Sequence, residues 1–99
     1  MQGLDVPSQK AEEMVSYMAE ILRTQRESLN ASLSSLSIIS DLDRAALKRA
    51  ENCERVPSLG FWIDWADSLG TSLEEILQEA RTKIKKKPGE PPERRRLGE

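Results

Sequence analysis

Arg44, Lys48 and Arg49 stand four and five residues apart, with Ala45 between them, in the stretch D-R-A-A-L-K-R-A-E-N at 43–52. On a helix this spacing gathers cations and one small side chain on a single face, while Leu47 and Ala50 fall on the other. A guanidinium matches the O6 and N7 acceptors of guanine in the major groove, and a good bidentate pair supplies about 1–3 kcal/mol of discrimination. Ala45 and Ala46 are small enough for close approach, and either could meet a thymine methyl. The same cations would also suit an ordinary solvated helix surface. Arg23 and Arg55 could flank the face on either side.

Other chemistries find little support. The 99-residue chain has one cysteine and no histidine. That removes an intramolecular disulfide, a Cys/His zinc site and a histidine general base. Glu51, Asp64 and Asp67 have no plausible nucleophile or metal beside them, and Cys53 lacks a histidine, so no enzyme, cofactor or metal is expected. The chain contains no apolar run long enough to span a bilayer and no signal-peptide core, which leads us to expect a cytoplasmic protein without membrane contact.

The elements that must hold the cationic face read as helices throughout. Aromatic residues make up 4% of the chain and charged residues 32%, and the apolar positions recur at helical spacing, so the class is all-α. A long first helix is expected over 9–28, with Val15, Met18, Leu22 and Gln25 on one stripe and Met14 and Ile21 beside it. Its first half is either a packing extension or a dimerisation element. Asn30 suits a left-handed helix end and Ser32 a cap for the next helix. That second helix, over 33–39, should bury Leu33, Leu36 and Ile39, with Ile38 alongside. Ser40, Asp41 and Leu42 make the turn, where Asp41 tolerates a left-handed backbone, and Asp43 caps the third helix from Arg44 to about residue 52. Pro57 and Ser58 precede a fourth helix over 61–69, whose Trp62 and Trp65 serve either the core or an aromatic interface. Gly70 ends it. S-L-E-E at 72–75 has the form of a capping box and opens a fifth helix running to about residue 83.

Charge is unevenly spread behind the net value of −2. Residues 1–22 carry −3, 23–61 carry +1, 62–80 carry −5 and 81–99 carry +5. We therefore divide the chain into a flexible lead-in (1–8), a helical domain (9–83) and a disordered basic tail (84–99). The tail is rich in charge and proline and could not offset its ordering entropy by burial. Lys83, Lys85, Lys86, Lys87, Arg94, Arg95 and Arg96 would either track DNA phosphates or simply solubilise the chain.

Five pieces then fall into one register. They are L-R-T-Q-R (22–26), S-L-S-S-L-S (32–37), D-L-D-R-A-A-L-K-R-A-E-N (41–52), V-P-S-L (56–59) and W-A-D-S-L-G-T-S-L-E-E-I-L (65–77). Together they resemble the Cro/C1-type, or Xre-type, helix-turn-helix family of phage repressors and bacterial transcriptional regulators. The resemblance implies a compact five-helix, lambda-repressor-like domain that acts as a homodimer on a pseudo-palindromic operator. It implies a structural salt bridge between Arg26 and Glu51, and double-stranded DNA contacts from Ser32, Arg44, Ala45, Lys48, Arg49 and Arg55. The chain departs from the family at Leu33, where a glutamine is usual, and at Ser37, where an alanine is usual. Asp41 and Cys53 replace glycines, and Asp43 replaces a serine, so two anions lie near the expected phosphate path. These departures leave a second function class in view, a protein-interaction module or antitoxin on the same scaffold, with a protein partner and weak or lost DNA binding.

Overall fold

Four serines and an aspartate begin the helices. Ser8, Ser32, Asp43, Ser58 and Ser72 each sit just before a helix and accept a hydrogen bond from the backbone N–H three residues on, at 2.9–3.2 Å. Each satisfies one of the donors that the first turn leaves unpaired. The computed structural model describes residues 8–86. Within them run α1 (Gln9–Ser28), α2 (Leu33–Ser40), α3 (Arg44–Glu51), α4 (Leu59–Ser68) and α5 (Leu73–Lys86). The domain is all-α. The lead-in before Ser8 and the part of the basic tail from Lys87 onward lie outside the described residues.

Left-handed residues close the helices as consistently as the caps open them. Asn30, Asp41, Cys53 and Gly70 follow α1 to α4 in turn with φ of 58°, 62°, 61° and 79°. After α1, the Asn30 and Ala31 N–H groups return to the carbonyls of Glu27 and Arg26, and the same pattern recurs at Cys53–Glu54 and Gly70–Thr71. These are Schellman closures, which use the last orphan carbonyls of a helix. Only Gly70 meets the backbone requirement without a Cβ penalty. At the start of α5 the capping box is half made, because Glu75 turns its carboxylate to the Thr71 hydroxyl at 2.8 Å.

One core joins the elements. Trp65 is fully buried and stacks on Trp62 (centroids 5.2 Å apart, planes at 17°), while Phe61 meets it edge-on at 6.0 Å. Both tryptophans are therefore core residues. The Trp65 indole N–H meets no acceptor among the described residues, so the ring is held by packing alone. Leu22 of α1, Leu36 of α2, Leu47 of α3 and Ile76 of α5 converge on the same cluster. The first half of α1 packs on the core: Tyr17, Met18 and Ala19 are buried, with Met14 and Val15 half-buried against it. Residues 11–15 of α1 lie beside 81–85 of α5 and residues 20–25 beside 71–79, so the two helices run antiparallel.

Several expectations change, and the first is Ser40, which ends α2 rather than opening the turn. α4 starts at Leu59, directly after its cap Ser58, rather than at Phe61, and α5 continues three residues past Lys83. The larger correction concerns α2. Ile38 and Ile39 are 82% and 69% exposed, and only Leu36 is buried on this helix. The inward positions beside Leu36 go to Leu33, Ser37 and Ser40, each half-buried or nearly so. The Ser40 hydroxyl donates to the Leu36 carbonyl and the Ser37 hydroxyl to that of Leu42, so both serines are satisfied locally.

Candidate nucleic-acid interface

α2 and α3 are joined by residues 41–43 alone, and the geometry of that turn fixes how α3 is presented. Asp41 takes the left-handed conformation and donates its N–H to Ser37. The Leu42 N–H donates to the Ser40 hydroxyl at 3.2 Å, and the Asp43 carboxylate accepts from the Ala46 N–H at 2.9 Å. The chain thus reverses with most of its polar backbone groups paired, and α3 begins at Arg44.

The two faces of α3 divide cleanly. Ala46, Leu47, Ala50 and Glu51 are buried against the body of the domain. Arg44, Ala45, Lys48 and Arg49 are exposed. At about 100° per residue these four share one side of the helix, directly opposite the buried set. None of the three cationic side chains makes a hydrogen bond or ion pair with another described residue. Ala46, one of two alanines expected to approach a partner, is buried at 6% exposure, which leaves Ala45 as the small residue on the outer face. Asp43 lies at the edge of that face, but its carboxylate is engaged as a cap. Asp41 is exposed.

The remaining candidates sit at the margins. Ser32 is exposed at the start of α2, where its oxygen accepts from the Ser35 N–H and lies 3.1 Å from the Ser35 hydroxyl. Arg55 is exposed in the segment between α3 and α4. Arg23 is half-buried on α1, and its Nε is enclosed without an acceptor among the described residues.

Arg26 and Glu51 fix the far end of α3. Arg26 Nε donates to Glu51 Oε2 at 2.7 Å and Nη2 to Oε1 at 3.0 Å, a bidentate pair. Arg26 Nη1 also reaches the Ala31 carbonyl at 2.7 Å, tying the end of α1 to the same point. The two side chains are 13% and 4% exposed. The hydrogen bonds that Arg26 donates to Glu51 hold its guanidinium pKa above the ordinary value, against the opposing effect of burial. Such a pair adds little net stability over an apolar substitute, but removing one partner strands a buried charge.

Sequence reasoning missed a set of exposed apolar residues. Ile38 and Ile39 on α2, Val56 before α4, and Leu59 at its first position are all more than half exposed. For Leu59 a signal was present, since it directly follows the Ser58 cap and first-turn residues often face solvent. For Ile38 and Ile39 no local signal was present, since four apolar residues among four serines fit more than one orientation. No family model, curated protein or solved structure matches the chain.

Proposed function

We propose that this protein is a sequence-specific DNA-binding transcriptional regulator that inserts α3 into the major groove. The observation that carries the reading is the outer face of α3, where Arg44, Ala45, Lys48 and Arg49 are exposed while Leu47 and Ala50 anchor the helix. A helix held rigidly at both ends, by the Asp43 cap and the Arg26–Glu51 pair, can present its side chains in fixed register. Its first turn carries Arg44, the position from which a recognition helix reaches base edges. Ser32 at the start of α2, together with Arg55, would contact phosphates beside the groove. In this reading the protein acts as a homodimer on a two-fold symmetric site, as the resemblance to Xre-type regulators implies.

The test is duplex binding measured across a salt series. Affinity should fall steeply with ionic strength, and Arg44→Ala should weaken the preferred site by about 1–3 kcal/mol while changing binding to random duplex much less. Equal losses on both kinds of DNA would reduce Arg44 to a phosphate contact.

One observation favours a second reading, a protein-interaction module. Ile38 and Ile39 on α2 and Leu59 on α4 are large apolar side chains left mostly exposed, and exposed apolar residues of this kind suit a protein partner. That function would leave duplex DNA unbound at low salt and retain a protein partner during purification.

A further inference from the structure

A groove of about 540 Å³ lies between the first two turns of α1 and the last two turns of α5. Ala11, Met14 and Val15 line it from one side and Ile84 from the other, all half-buried. Lys10, Arg81 and Lys85 stand at its margin, all exposed, and no acidic residue is among the described residues that line it. The volume falls within the range of small-molecule sites, and an apolar floor with a few charged groups is the usual composition of such a site.

We propose that this groove binds an aliphatic carboxylate of about eight to twelve carbons, with its chain along Met14, Val15 and Ile84 and its carboxylate among Lys10, Arg81 and Lys85. Charge selects this occupant. Three cations with no acidic residue among the described lining disfavour a cationic amphiphile and leave a neutral one without a partner for them. The apolar residues on both walls are already half-covered by the core behind them, so the floor is pre-formed. An acyl chain would cover the open side and complete their burial. The site is distinct from the outer face of α3, because none of its lining residues belongs to α2, α3 or the turn between them.

The experiment is a ¹H–¹⁵N titration of the full chain with decanoate, kept below its micelle concentration. Decanol and decyltrimethylammonium serve as comparison ligands with the same tail. Amide shifts should concentrate at residues 10–15 and 81–85, and binding should rank decanoate above decanol, with the ammonium weakest. Shortening the chain to octanoate should weaken binding about fourfold, since the groove is open on one side and recovers only part of the burial of each methylene. Arg81→Glu with Lys85→Glu, both exposed and outside the core, should weaken decanoate about tenfold and leave decanol unchanged. Met14→Ser should weaken both ligands.

Several results would overturn the proposal. One is decanol binding as tightly as decanoate. Another is shifts centred on Ile38, Ile39 and Leu59, which would mark generic adsorption to exposed apolar surface. A third is ligand-free contacts from Leu4 or Val6 to Met14 and Ile84, which would show the groove filled by the chain's own first residues.

Discussion

α2 and α3 are each eight residues long, each capped by an oxygen side chain, and they follow one another across a three-residue turn. Their surfaces are nevertheless opposite. α3 turns three cations and an alanine outward and buries alanine and leucine, as the amphipathic pattern requires. α2 turns two isoleucines outward and keeps two serines toward the crossing. The contrast shows that apolar character alone did not decide which way α2 faces. Leu33 and Leu36 turn inward, and Ser37 and Ser40 take the other inward positions with their hydroxyls bonded to the carbonyls of Leu42 and Leu36. The contrast also separates two kinds of surface on one motif, a cationic face suited to an anion and an apolar face suited to another protein.

The largest expected effect tests what holds α3 in place. Glu51→Ala should cost about 3–5 kcal/mol in chemical denaturation, because it leaves Arg26 buried and charged without its partner. Replacing both residues with apolar side chains of similar size should recover most of that loss. A small effect from the single substitution would mean that α3 is held by its apolar contacts alone.

The comparison itself breaks or stands on a pair of α2 variants. Leu36→Ala should destabilise by about 2–5 kcal/mol, since Leu36 is 1% exposed in the core. Ile38→Ser should stay within about 0.5 kcal/mol of the parent protein. If Ile38→Ser instead costs as much as Leu36→Ala, α2 packs its isoleucines inward and its assigned orientation is wrong.

Much of the fold was legible because it rests on local rules. Ser32, Asp43, Ser58 and Ser72 announce helix starts by residue type, and Asn30, Asp41 and Gly70 announce helix ends. The α3 faces were legible too, since cations and aliphatic residues alternate there with helical period. α2 was not, because eight residues give barely two turns, and four apolar residues among four serines fit more than one orientation. Burial of Tyr17 and Ala19 depends on how the helices dock, which no local pattern records. The bidentate pair of Arg26 and Glu51 joins residues 25 positions apart, and only the resemblance to a known family pointed to it.

Two smaller effects sharpen the account of the α2–α3 turn and its counterpart after α3. Asp43→Ala removes the α3 cap and should cost about 1 kcal/mol, read as a lower midpoint in denaturant. Cys53→Gly should stabilise by about 0.5–1 kcal/mol, because Cys53 holds φ at 61° where a Cβ is unfavourable. A loss of stability in the second variant would show that the half-buried Cys53 side chain contributes more through packing than its backbone costs.

The central claim is that the outward side of α3 reads base sequence. Selection of bound duplexes from a random pool, at moderate salt, tests it most directly. The account predicts a two-fold symmetric consensus with half-sites about one helical turn apart, and loss of the guanine preference at one position in each half-site with Arg44→Ala. A pool that stays random for the parent protein while the chain still binds duplex at low salt would contradict it.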